Sequence, residues 1–199
     1  MRSAVIFIAL AVSIVLGIHK FWGEREQSHR PGVTAPDVPW QKNLAQTMEF
    51  SRFDHRLVAR AEFDITARVI KRMRYRADDF ARLSPVDFAM GWGEMSDTAT
   101  LEQMRCSQSN RFYGCSWKSA EVIDPKKFTT LSANMHMIPA SADVEDALLR
   151  VRKGQVVSIR GYLVDVIAPN GGMWRTSLTR DDSGPGACEI IWVTGVSIS

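Results

Sequence analysis

Gln155-Val156-Val157-Ser158-Ile159-Arg160-Gly161-Tyr162-Leu163-Val164-Asp165-Val166-Ile167 opens the clearest β region of the chain. It is rich in Val and Ile, and Pro169-Asn170-Gly171-Gly172 follows as a strong turn signal. Met173 to Thr179 then alternates Trp174, Thr176 and Leu178 against Arg175, Ser177 and Thr179. Asp181-Asp182-Ser183-Gly184-Pro185-Gly186 is a second turn, and Ala187 to Val193 puts Cys188, Ile190 and Trp192 on one face. Three consecutive antiparallel strands with native twist tend to curl, so residues 155–199 are expected to form a small antiparallel β-barrel, OB-like or SH3-like.

Working outward from that segment, Ser141 caps an expected helix from Ala142 to Arg152, which Gly154 stops. Ser132 to Ile138 is extended, and Cys106 to Trp117 reads as a hairpin centred on Asn110-Arg111. Ser96-Asp97 opens a helix to about Met104. Leu83-Ser84-Pro85-Val86-Asp87 has the pattern of another helix start: Ser84 as cap, Pro85 at the first helical position, Asp87 against the dipole. Ala61 to Tyr75 fits both periods, and its β-branched and aromatic residues favour a strand. The expectation is therefore α+β, with residues 44–199 as a single domain.

The N-terminus reads as a membrane address. After Met1-Arg2-Ser3, Ala4 to Ile18 carries no charge, and Lys20 and Trp22 suit the interface. No small-x-small cleavage site follows, so residues 1–22 are expected to be an uncleaved signal-anchor, a single-pass inner-membrane helix inserted through residues 4–22. Arg2 on one flank stands against Lys20, Arg25 and Arg30 on the other, which counted strictly favours a cytoplasmic domain. The short cationic start of an export signal favours a periplasmic one, and that is the expectation adopted. Pro31, Gly32, Pro36 and Pro39 make residues 23–43 an extended stalk.

The chain has 199 residues, 45% hydrophobic and 24% charged, with a net charge of +3 and three Cys. That composition excludes a wholly disordered chain and a disulfide-built scaffold, and it lacks the strong positive charge of a dedicated nucleic-acid binder.

Six motifs occur together: Leu83-Ser84-Pro85-Val86-Asp87, Gly91-Trp92-Gly93, Met95-Ser96-Asp97, Ser107-Gln108-Ser109, Ser132-Ala133-Asn134-Met135-His136 and Gly186-Ala187-Cys188-Glu189. With them the chain resembles a family of uncharacterised bacterial envelope proteins, membrane-anchored or exported. The resemblance implies a bacterial source and a membrane-tethered location. It implies no activity.

Candidate chemistry is sparse. Arg68, Lys71, Arg72, Arg74 and Arg76 crowd one segment. On a strand, Arg68, Arg72, Arg74 and Arg76 share a face, either a solvated edge or a surface for an acidic lipid, polymer or protein. Nucleic acid is the least favoured partner, and the binding residues expected are Arg72, Arg74 and Arg76. His136 is the histidine with regular neighbours, read first as structural and second as a catalytic base, with Cys188 and Glu189 beside it in the enzymatic reading. Cys188 alternates with Ile190 and Trp192, as a buried inert thiol would. Cys106 and Cys115 fall opposite each other if the hairpin turns at Asn110-Arg111, so an oxidising compartment would join them. No metal-ligand spacing is present, and no metal or cofactor is expected. Of the tryptophans 40, 92, 117, 174 and 192, at least three are expected in the core. The function expected is a binding or assembly module, and the alternative is a hydrolase centred on His136.

Overall fold

The computed structural model describes residues 25–78, 80–182, 184 and 186–199. The expected 1–22 anchor lies outside them, and no described helix is long and apolar enough to cross a membrane. The fold is α+β and mostly sheet. Strands β1 (Trp40–Arg52), β2 (His55–Arg74), β3 (Val86–Gly91), β6 (Ser132–Pro139), β7 (Val156–Ile167), β8 (Met173–Trp174) and β9 (Glu189–Ile198) form one sheet, in the order β1-β2-β3-β6-β9-β7-β8. A further β2–β7 ladder closes β2, β3, β6, β9 and β7 into a ring. Strands β4 (Arg105–Ser109) and β5 (Phe112–Ser116) form a separate hairpin. Among the described residues, three short α-helices, α1 (Thr98–Glu102), α2 (Pro125–Leu131) and α3 (Ala142–Arg150), and a single 3-10 turn at Gly93–Ser96 accompany the strands.

Strand β2 explains how one sheet serves several cores. Against β7 its register slips between Ala59 and Ala61. A single extra residue reverses the facing of all that follow. Leu57 and Ala59 therefore pack outside the ring with Val164, Val166, Ile190 and Trp192. Ala61, Phe63, Ile65, Ala67 and Val69 pack inside it with Phe88, Met135, Met137 and Ile191. A second slip between Val69 and Lys71 turns Ile70 toward Ala89 and Met95 beneath the hairpin. Helix α3, capped by Ser141 Oγ accepting from the Val144 N–H, lays Leu148 on the inner core.

Four expectations change. Val86 to Gly91 is a fully buried strand rather than a helix. Both its edges are paired, to β2 and β6, and tertiary pairing overrides the capping pattern. The closed sheet is not a meander of residues 155–199. Strand β9 runs parallel to β6, and β7 closes on β2. The expected strand at 173–179 shrinks to Met173–Trp174, because the Thr176 N–H is taken by Asp165 Oδ1 and the Ser177 N–H by the Cys188 carbonyl. Of the five tryptophans, Trp92 and Trp192 alone are buried.

The Pro-containing segment, expected as a stalk, runs where it is described along the domain. Its Gln27 N–H donates to Lys153 O, Thr34 and Ala35 bond to Ser96, and Ala35 O accepts from the Gly93 N–H. Gly154, at φ +86, lies so close beneath it that a Cβ there would sit 1.9 Å from Gln27 O.

Candidate functional site

The outer face of β3 and β6 carries buried polar side chains, among them Asp87, Asn134 and His136. Register places Asp87 on β3 opposite His136 on β6. Both are buried, at 0% and 2% exposure, with Asp87 Oδ2 2.9 Å from His136 Nδ1. The approach is oblique, so neither atom makes a directed hydrogen bond. The second ring nitrogen, Nε2, has no hydrogen-bond partner among the described residues, and His136 lines an open cavity. A carboxylate on Nδ1 favours the tautomer whose Nε2 presents its lone pair to that cavity.

Arg111 holds the other side of Asp87. Asn110 and Arg111, the turn residues of the β4–β5 hairpin, have φ of 49° and 67°. This is the turn type whose twist matches the flanking strands. It projects Arg111 onto the ring. Nη1 donates to Asp87 Oδ1 at 2.9 Å and to Ser84 O at 2.9 Å. Nη2 donates to Asp78 Oδ1 at 2.8 Å, and the guanidinium lies 3.7 Å from the Tyr75 ring centroid. Burial, with the Asp87 charge nearby, pushes the Tyr75 phenol up to about 12, so it stays neutral. The Arg111 carbonyl accepts from Asn134 Nδ2, whose Oδ1 accepts from Gln108 Nε2. The hairpin is thereby docked by its tip.

Above His136 the cavity, about 530 Å³, is walled by Phe80, Phe112, Met173 and Trp174, with Arg175 and Cys188 at its edge. Trp174 packs 4.4 Å from the His136 ring and 4.9 Å from Phe80, centroid to centroid. Phe112 and Met173 are each 54% exposed, which leaves the mouth apolar.

Cys188 is a free thiol beside Asn134, with Sγ 3.8 Å from Nδ2. Burial pushes it up to about 11, so it is held as the thiol at neutral pH. Glu189 is turned away from this cavity. It faces the ring interior, opposite Met135, where Arg180 pairs with Oε1 and spans the Phe63 ring while Oε2 has no partner. Burial pushes the Glu189 carboxyl up to about 7 against the pull of Arg180.

The remaining sequence candidates lie apart from this cavity. The second β2 bulge breaks the expected arginine row. Arg68 is buried, Arg72 and Arg74 pair with Phe88 and Val86, and Arg74 donates to Leu149 O at the end of α3, where a cation suits the helix terminus. Arg76 lies exposed beyond the strand. Cys106 faces Cys115 in register, and the two sulfurs are bonded. Among the described residues no group of three His, Cys, Asp or Glu side chains could hold a metal ion.

Sequence reasoning reached His136 and Cys188 but missed Asp87, Arg111, Phe80 and Trp174 as members of one site. Asp87 was masked by a capping pattern, and Arg111 by its place in a turn. No local spacing at 86–91 marks Asp87 as a site residue, because every residue of that strand is buried. Comparison of the chain with protein-family models, with curated proteins and with solved structures finds no match.

Proposed function

We propose that this is a membrane-tethered binding module of the bacterial envelope, held through residues 1–22, whose ring is an OB-like barrel and whose ligand site is the Trp174 cavity. Numbered by chain order, the ring strands β2, β3, β6, β7 and β9 run first, second, third, fifth, fourth around the circuit, a Greek-key order with α3 between third and fourth. OB-type barrels bind oligonucleotides and oligosaccharides at the second and third strands, between the first-to-second and fourth-to-fifth loops. The observation that carries the reading is that the aromatic cavity occupies that position. Phe80 comes from the first of those loops, Met173 and Trp174 from the second, and His136 from the third strand.

The ligand class that fits is an acidic oligosaccharide. Aromatic walls suit the apolar faces of sugar rings, His136 Nε2 accepts from a hydroxyl, and Arg175, which has no ion pair among the described residues, meets a carboxylate or sulfate. Trp174 fluorescence should respond saturably to acidic oligosaccharides, less to neutral ones and least to single-stranded DNA, and Trp174→Ala should abolish binding. Equal binding by wild type and Trp174→Ala would remove the cavity from the reading. A DNA preference would remove the ligand class.

A second reading, a hydrolase centred on His136, is favoured by one observation, the 2.9 Å approach of Asp87 to Nδ1, which orients a base toward the cavity. Turnover of a bound oligosaccharide that His136→Gln eliminates, with binding intact, would select it. Tethering has its own test: protease added to spheroplasts should remove the domain, and protection until lysis would overturn the periplasmic placement.

A further inference from the structure

Met173 is the most exposed methionine among the described residues, at 54% against 39% for Met48, and the other described methionines are half-buried or buried. It follows the Gly171-Gly172 turn in β8, the last strand of the sheet, which pairs with β7 alone. Its side chain therefore stands at the rim of the Trp174 cavity, beside Arg175 and Phe112. The Arg175 Nε–H donates to Met173 Sδ at 3.1 Å. A thioether sulfur is a weak acceptor. The charged donor of the rim is thus held by a weak bond, and no ion pair among the described residues includes Arg175.

Two sulfur atoms border this cavity, those of Met173 and Cys188, and an oxidant does not meet them equally. Thiol oxidation runs through the thiolate. Burial pushes the Cys188 thiol up to about 11, so almost no thiolate is present at neutral pH. Oxidation of a thioether needs no deprotonation and is set by access to the sulfur. Met173 is the reactive sulfur of the pair.

We propose that Met173 is an oxidation site, and that its sulfoxide captures Arg175 and withdraws it from the cavity. The oxidant is a peroxide. The sulfur lone pair attacks one oxygen of hydrogen peroxide, the O–O bond breaks and an S–O bond forms. Sulfur gives up two electrons, and the released hydroxide takes the proton of the transferred hydroxyl and leaves as water. The sulfoxide oxygen is a far stronger acceptor than the thioether, and it forms beside an N–H already aimed at the sulfur. Arg175 then bonds its own neighbour in place of a ligand carboxylate, and the apolar rim shared with Phe112 becomes polar. Thiol-dependent sulfoxide reductases return the thioether. The effect on binding rests on the acidic-oligosaccharide reading of the Trp174 cavity, whereas the modification and the capture of Arg175 do not.

The test treats the full chain, in a detergent with an uncharged head group, with graded hydrogen peroxide. Peptide masses should show Met173 gaining one oxygen ahead of Met48, while Cys188 stays open to thiol labelling after denaturation. The Arg175 Nε–H resonance, followed by proton–nitrogen correlation with no oligosaccharide present, should shift in step with the Met173 mass. It should return after treatment with sulfoxide reductases of both epimer specificities. Trigalacturonate, the acidic probe, should bind the oxidised chain about tenfold more weakly, the loss of one charge-assisted contact. Met48→Leu should keep that difference. Met173→Leu, compared only with itself, should show the same affinity before and after peroxide. Oxidation of Met48 ahead of Met173, an unmoved Arg175 resonance, or an affinity that peroxide changes equally in Met173→Leu overturns the proposal. No binding of trigalacturonate to the unoxidised chain overturns the ligand reading alone, and the masses and the Arg175 resonance then decide the modification site.

Discussion

Replacing Arg111 by Ala removes the pin that docks the hairpin, and the structure sets the size of the effect. The arm to Asp87 is the large one, because Asp87 is fully buried and Arg111 is itself only 15% exposed at its side chain. Breaking a buried pair from one side costs about 3–5 kcal/mol, since the remaining charge stays desolvated. His136 at 2.9 Å offsets part of that, which places the loss near the lower bound. Asp78 is 39% exposed, and its arm contributes less than about 1 kcal/mol. The guanidinium over Tyr75 adds about 1 kcal/mol. Urea unfolding should therefore show a loss of about 4–5 kcal/mol, and the midpoint of thermal unfolding should fall by about 10–15 °C for a domain of this size. Arg111→Lys keeps the charge but not the fork that reaches Asp87 and Asp78 together, so it should recover less than half. Asp87→Asn combined with Arg111→Ala should be less damaging than the sum of the two, with a coupling above about 1 kcal/mol. A loss under about 1 kcal/mol, or strict additivity with Asp87→Asn, would refute the view that this ion pair docks the hairpin.

Thiol labelling of denatured, unreduced protein should find one reactive cysteine, Cys188, and three after reduction; opening the Cys106–Cys115 loop should cost about 2–3 kcal/mol, and three thiols before reduction would contradict the bridge. Glu189 should make stability fall as pH rises. Its carboxyl is near 4.5 when unfolded and about 7 when folded, so between those values the native state binds the extra proton, and stability present below about 4.5 is lost on passing through 7. The difference between pH 4.5 and pH 8 should be on the order of 2–3 kcal/mol, and Glu189→Gln should flatten the urea midpoint across that range; an unchanged slope would show that Glu189 ionises as readily folded as unfolded. If residues 1–22 lie in the bilayer, a spin label at Lys153 should sense lipid-phase relaxation agents and one at Phe112 should not, since the Gln27–Lys153 bond ties that corner to the chain leaving the membrane. Equal response at both positions would contradict a close tether at Gly154.

What the sequence disclosed and what it hid follow from where side chains alternate. Helix α3 was readable because Ser141, the apolar stripe and Gly154 all depend on neighbours within a few residues. The β4–β5 register was readable for the same reason: the Asn110-Arg111 turn fixes it locally. Strand β3 was hidden because both its faces are buried, so every residue from Val86 to Gly91 is covered and no polar side marks the period. The arginine row failed because a bulge leaves no mark in the spacing of charges, yet it reverses the face on which every later residue falls. His136 stood out in the sequence, but its partner lies 49 positions away across a ladder that only the closed ring creates.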